Sequence, residues 1–404
     1  MGEPLVVIGN GMAAARFVEE LDLHARGRYA IAVIGAEPHL AYNRVLLSSL
    51  LAGEVQRNEI ELRNADWWRA RGVTLLYGSG ASRIDVAARI VELEDGRKIS
   101  FAKLVIATGS VPIRLSVPGA ALDGVMIFRD LDDAAALAMM AEKAKHAVVI
   151  GGGLLGLEAS YGLAKQGAKV TLLHLMPHLM ERQLDPRGAE LLRRAVESHG
   201  IEVICNADTA EILGSTGIVE AVRLKDGRIV EADLVVMALG VRPNTALANN
   251  AGLAVNRGIV VDDRLATSVE DIFAIGECAE HRGVCYGLVE PAYEQANTLA
   301  RHVAGKSARY DGSTLSTNLK VSGVAVFSAG DFSSPGNDEI LFSDPGAGSY
   351  KRLIFRNDKL AGAILVGDTA DGLWYLELIR EQKSVAQIRD SLAFGRSVAM
   401  QKAA

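Results

Sequence analysis

Cysteine is scarce in this chain: three in 404 residues, Cys205, Cys278 and Cys285, with no C-x-x-C pair and no clustering at metal-ligand spacing. That excludes a disulfide framework and a readable zinc or protein-bound iron–sulfur site, fits a reducing compartment, and leaves each cysteine as a small, mostly buried apolar residue. No metal ligand set is expected. Long apolar runs are also missing. No uncharged stretch reaches the ~20 residues that cross a bilayer, so no membrane association is expected. The chain enters an apolar strand by Leu5 without a basic segment or a cleavage-like site, so nothing suggests export and a cytoplasmic location is the default. Nor is there a basic stripe: the net charge is -6 with the signs mixed, which argues against nucleic acid. What is present is 49% hydrophobic and 23% charged, the composition of a soluble globular protein long enough for two or three domains.

Glycine, by contrast, is placed with purpose. The stretch VVIGGGLLGLEASYGLAKQGAKVTLLH, residues 148–174, reads as buried strand, glycine turn, helix and second strand. Gly151, Gly153 and Gly156 give G-x-G-x-x-G: the first permits the tight turn, the second lets backbone approach a pyrophosphate, the third lets helix pack on strand. Leu154 and Leu155 open the helix, whose free N–H groups and partial positive charge face the phosphates. A second copy stands at the start of the chain. There Gly9, Asn10, Gly11 and Ala14 give G-x-G-x-x-A, Met12 and Ala13 begin the helix, and Glu37 follows the next strand, twenty-three residues beyond Ala14. A carboxylate there can accept both ribose hydroxyls of an adenosine. The central unit departs from the pattern, ending in His174 where an acid would favour a free 2′-hydroxyl and an arginine cluster a 2′-phosphate. NADH is the expected nucleotide, with NADPH possible. Two nucleotide sites in one chain imply transfer between two cofactors.

The remaining segments fit around these two units. Arg44, in HLAYNRVLLSSLLAG, can lie near a pyrophosphate or flavin or be a plain surface cation. A buried strand ends at Ala107, Thr108 and Gly109, and LVIATG is mirrored by LVVMALG ending at Gly240, which marks a diverged internal duplication. Asp95-Gly96 and Asp226-Gly227 are hairpin turns in the two halves. The strand DIFAI delivers Gly276 and Glu277, a carboxylate suited to a ribityl hydroxyl, and Pro291 sits in the first turn of a helix from about Val289. From about Leu315 the pattern changes to strands followed by two helices, DGLWYLELIREQ and VAQIRDSLAF. The fold class is therefore α/β, with two Rossmann-like dinucleotide-binding domains and a C-terminal α+β domain. The expected boundaries are 1–111 with 241–314, then 112–240, then 315–404.

The order G-x-G-x-x-A with Glu37, ATG, GGGLLGLE, ALGVRPN and AIGEC resembles the two-dinucleotide-binding flavoprotein reductases of the glutathione-reductase fold, a pyridine nucleotide-disulfide oxidoreductase-like pattern. VVIGNGMAAARFVEEL, HLMPHLMERQLD, GECAEHRG, GLVEPAYEQA and LKVSGVAVFSAGD are similar to the flavin-binding front portion of assimilatory NADH-nitrite reductase large subunits, relatives of rubredoxin and ferredoxin reductases. The resemblance implies FAD along residues 9–14, Glu37, Ala81, Ala107–Gly109, Arg129, Glu277 and Val289, and a nicotinamide nucleotide along residues 151–156. It implies Glu158, Ser49 and Lys320 as catalytic side chains, Ser49 standing where ferredoxin reductases usually carry a lysine partner to the glutamate. With no redox thiol pair near residues 42–51, the implied activity is an FAD-dependent NAD(P)H oxidoreductase that turns a hydride into single electrons. The implied acceptor is an external ferredoxin, rubredoxin or separate nitrate or nitrite reductase component. Because the sequence ends before the iron–sulfur and sirohaem portions of full nitrite reductases, nitrite reduction by the chain itself is not expected. An NADH oxidase or quinone reductase, and a flavin- and NADH-binding sensor with little turnover, are the alternatives.

Overall fold

The β-α-β reading at the N-terminus is realised in a five-stranded parallel sheet. In the computed structural model, which describes residues 2–321, 323–332 and 338–403, the strands lie in the order Ile272–Ala274, Lys103–Ile106, Glu3–Ile8, Tyr29–Gly35, Thr74–Tyr77. Leu5, Val7, Leu104, Val105 and Ile106 are fully buried, as befits strands covered on both faces. Helix Met12–Ala25 packs Phe17, Val18 and Leu21 into this core. Helix Val289–Val303 contributes Ala296, Leu299 and Ala300. Helix Ala65–Arg69 buries Trp68 and leaves Trp67 half-buried beside it.

The same plan recurs at residues 113–240. Its parallel sheet runs Ile201–Ile204, Lys169–Leu173, His146–Ile150, Leu234–Met237, Val125–Ile127. Each copy also carries a three-stranded antiparallel sheet. Both use an Asp-Gly turn in which the aspartate accepts the backbone N–H two residues on, Arg97 to Asp95 and Arg228 to Asp226, each at 3.1 Å. The glycines Gly96 and Gly227 take φ of +85° and +92°, where a side chain would be strained.

Chain contacts divide the protein into two units, Met1–Leu47 with Val55–Pro112 and Val241–Ser313, and Ser48–Glu54 with Ile113–Gly240 and Thr314–Ala404. The expected third segment thus groups with the central one. A five-stranded antiparallel sheet, Ser316–Val321, Val324–Gly330, Lys359–Val366, Ser349–Arg356, Asp338–Asp344, backs onto helix Gly372–Glu381 through Phe327, Leu353, Leu365 and Tyr375. Tyr350 of this sheet donates to Asp185 at 2.5 Å, and Asp185 caps helix Pro186–Ser198. One local reading changes. LKVSGVAVFSAG pairs with itself as a hairpin, and VAQIRDSLAF, expected as a helix, holds only the 3-10 turn Arg389–Phe394. Among the described residues, no helix is long and apolar enough to cross a membrane.

Candidate functional site

At the end of strand Glu3–Ile8 the backbone turns through Gly9 with φ of +116°, and a Cβ there would lie 2.1 Å from Ala107 O. Only glycine fits. Gly11 is different: its φ is −95°, open to any residue, and a Cβ would meet nothing within 4 Å. The protein's own packing does not demand glycine there, so the open space is what an approaching group would use. Helix Met12–Ala25 begins at that point with no side-chain cap and no acid in its first turn. Its first N–H groups and dipole are left for an anion. Asn10 ties the turn to His39 O at 3.1 Å through its amide nitrogen, while its Oδ1 is buried with no partner. Ala13 borders Gly276, and Ala14 is buried in the helix–strand contact.

The other residues of this unit form the surroundings of that turn. Glu37 lies two residues past strand Tyr29–Gly35. Tyr42 Oη donates to it at 2.7 Å, and Arg44 pairs with its other oxygen while lying over the Tyr42 ring. Arg44 is therefore a clamp on Glu37, not a loose surface cation. After strand Lys103–Ile106, Thr108 spends its hydroxyl on Asn244 O at 2.7 Å, and Asn244 N donates to Gly109 O at 2.9 Å. The triplet is thus tied to the returning chain. Glu277, in the 3-10 turn Gly276–Cys278, accepts Ser110 Oγ at 2.6 Å. Gly276 N donates to the buried Gln295 of helix Val289–Val303, which Val289 opens without a side-chain cap. Ala81 begins strand Ala81–Asp85. Cys278 is buried, its thiol directed at the carbonyls of Ile106 and Ile275, and burial pushes its pKa up. It is packing, not chemistry.

The second unit repeats the first two glycine positions of the turn and differs at the third, where Gly156 stands in place of Ala14. Gly151 has φ of +125° and a Cβ would lie 2.2 Å from Ala238 O; Gly153 faces open space; a Cβ on Gly156 would lie 1.7 Å from Gly151 O. Leu154 and Leu155 are the first residues of helix Leu154–Lys165, again uncapped by a side chain. Gly240 takes φ of +96° and accepts Ile113 N. Arg129 belongs to this unit, where its N–H donates to Asp133; burial, then the nearby Asp130, pushes the Asp133 carboxyl up to about 6.

Glu158 stands on helix Leu154–Lys165. Burial drives its carboxyl up to about 7, against the opposing pull of a hydrogen bond from the Ser48 hydroxyl. The hydroxyl that meets Glu158 is that of Ser48, while the neighbouring Ser49 accepts Glu54 N through its backbone carbonyl. Segment Ser48–Glu54 groups with this unit because Leu51 fills the space over Gly162, and Gln166 holds Leu51 O at 2.9 Å. Lys320 lies on strand Ser316–Val321, its side chain outside the described residues.

A family model described as pyridine nucleotide-disulphide oxidoreductase matches residues 3–301. The chain belongs to this family. The rubredoxin NAD+ reductase C-terminal domain matches residues 316–383. Among curated proteins the chain is similar to a nitrite reductase (NAD(P)H) of Bacillus subtilis, 44% identical over 385 residues and covering 95% of this chain and 48% of that protein. It is also similar to the assimilatory nitrate reductase electron transfer subunit of the same organism, 44% identical over 384 residues, with 95% and 50% covered. The chain spans about half the length of these two relatives. Among solved structures it resembles the ferredoxin reductase for the CYP199A2 system from Rhodopseudomonas palustris, with a TM-score of 0.90 at 28% identity and all of both chains covered.

Oxidoreductases of this family bind FAD and NADH, and the residues present fit both. Each turn pairs a glycine forced by backbone with one that only an incoming group explains, at an uncapped helix start. In the first unit Asn10 adds a buried unpartnered acceptor. In the second unit the His174 ring is engaged within the protein: it is buried, Nδ1 accepts Gly152 N at 3.0 Å, and Nε2 faces Glu181 at 3.1 Å. Neither Ser48 nor Glu181 is singled out by sequence reasoning. A carboxylate seven residues beyond an expected acid position is the only signal for the second.

Proposed function

We propose that the chain takes reducing equivalents from NADH, passes them through FAD, and delivers them singly to an external acceptor. The acceptor class is a small iron–sulfur or rubredoxin-type protein, or a separate nitrate or nitrite reductase component. The observation that carries this reading is the pair of open glycine turns, Gly11 and Gly153, one in each unit. We assign FAD to the first unit and the nicotinamide nucleotide to the second. When bound, the flavin supplies the chemistry that accepts a hydride and releases single electrons. The protein's part is binding, orientation and proton control. Helix Met12–Ala25 and helix Leu154–Lys165 present uncapped N–H groups to the two pyrophosphates, and Glu37, held by Tyr42 and Arg44, accepts from the adenosine of FAD. Glu158, with its carboxyl near 7, holds a proton at neutral pH and can release or regain it, with Ser48 fixing its orientation.

The acceptor class is supported by the names of relatives, a nitrate reductase electron transfer subunit and a structurally similar ferredoxin reductase. It is supported also by the three cysteines, all free, none of them in residues 42–51, which favours electron over disulfide transfer and residence in a reducing cytoplasm. The test is anaerobic. NADH is mixed with flavin-loaded protein while flavin absorbance is followed, and the reduced protein is then mixed with rubredoxin, a [2Fe–2S] ferredoxin, oxygen or a quinone. Bleaching by NADH followed by faster reoxidation with a protein acceptor is expected. No bleaching would overturn the oxidoreductase reading, and reoxidation fastest with oxygen or quinone would replace it by an oxidase or quinone reductase.

A further inference from the structure

Strand Lys169–Leu173 leads to the position where a Rossmann unit usually carries its ribose-reading acid, and here that position is His174. The ring is turned inward. Its Nδ1 accepts the N–H of Gly152 at 3.0 Å, so the neutral imidazole carries its proton on Nε2 and donates it to Glu181 Oε2, 3.1 Å away. The ring packs against Gly152 in space that only glycine leaves open: a Cβ there would lie 2.6 Å from His174 Cγ and 2.7 Å from Leu179 Cδ2.

Glu181 reaches His174 because the chain folds back on the glycine turn. Beyond the exposed Leu175, Met176 and Pro177, Met180 takes φ of +50°, buries its side chain and donates its N–H to Gly152 O at 3.0 Å. Gly152 is thus held on both its N–H and its carbonyl, once by the ring and once by the returning loop. The result is a carboxylate standing one imidazole width from the backbone of the turn. Its side chain is 30% exposed, so it is fixed on the protein side and open on the other.

We propose that Glu181, oriented by His174, accepts the hydrogen bonds of the adenosine ribose of the nicotinamide nucleotide and selects against a 2′-phosphate; this rests on the reading of residues 151–156 as the nicotinamide turn. Glu181 Oε2 is kept by His174, and Oε1 is left to accept a ribose hydroxyl. A phosphate at the same place meets like charge and a group that cannot donate. His174 is a positioning residue: it substitutes for the missing strand-end acid by holding one from the following loop.

The test is equilibrium binding of NAD+ and NADP+ to the flavin-loaded protein by calorimetry, a readout independent of turnover. Wild type is expected to prefer NAD+. Glu181→Gln keeps the shape and an acceptor but removes the charge, and is expected to cut that preference about 10-fold, the loss of one hydrogen bond to a charged group. His174→Phe, which loses both ring bonds, should cut it similarly, while Glu181→Asp should restore part of it. A merely structural histidine would lower the melting temperature without moving the ratio of the two affinities. An unchanged ratio in Glu181→Gln, with wild-type flavin content and melting temperature, or a wild type that prefers NADP+, overturns the assignment alone. A wild type that binds neither nucleotide overturns the nicotinamide turn itself, and the inference with it.

Discussion

Replacing Glu158 by glutamine should change how stability depends on pH, in a direction fixed by the burial of its carboxyl. The ordinary glutamate value is 4.5, and burial drives Glu158 up to about 7. Between those values the folded protein binds more protons at this site than the unfolded chain does, so stability falls as pH rises through the interval. Below about 4.5 the group costs nothing, because it is neutral in both states. Above about 7 folding carries the full cost of a buried charge. A shift of this size is equivalent to about 3 kcal/mol at ~1.4 kcal/mol per unit. Glu158→Gln keeps the shape and removes the titration. Its stability relative to wild type should therefore improve by about 3 kcal/mol between pH 4.5 and pH 8. Asp133, pushed up to about 6, tilts both proteins in the same sense and cancels in the difference. The assay is urea unfolding of both proteins at several pH values, followed by tryptophan fluorescence, with flavin retention checked at each. Parallel stability curves from pH 4.5 to pH 8 would refute the claim that this carboxyl is buried and raised.

Gly11→Val should abolish FAD retention because the side chain fills the open space at the first turn, and a purified yellow protein with full flavin occupancy would reject that assignment. Gly153→Val should keep FAD but lose flavin bleaching by NADH; loss of both cofactors together would mean that the two turns are not independent sites. Gly9→Ala places a Cβ 2.1 Å from Ala107 O in a left-handed backbone and should yield little folded protein, measured as soluble flavin-loaded yield. Tyr350→Phe leaves the buried end of Asp185 without its 2.5 Å donor and should lower unfolding free energy by about 1–3 kcal/mol. A change confined to tenths of a kcal/mol would show that Arg352, 3.5 Å from the same oxygen, suffices.

What the sequence determined by itself is the part governed by local backbone rules and period. Glycine spacing, apolar strands and Asp-Gly turns constrain their neighbours within a few residues, so both glycine turns, the duplicated α/β plan and the place of Glu37 are legible in the chain alone. The helical reading of VAQIRDSLAF misleads for the same reason: a local period takes no account of the sheet that the segment packs near. Tertiary structure alone decided which side chains meet. Ser48 and Ser49 are neighbours that sequence spacing cannot tell apart, and only the folded path of the chain decides that the Ser48 hydroxyl meets Glu158. Arg44 is legible as a cation, but its clamp on Glu37 requires the fold of the intervening loop. The contact between His174 and Glu181 goes with Met180 in a left-handed conformation, which brings the chain back onto Gly152. Hydrogen bonds at this range follow from the path of the chain through space, which the spacing of residues along the sequence does not encode.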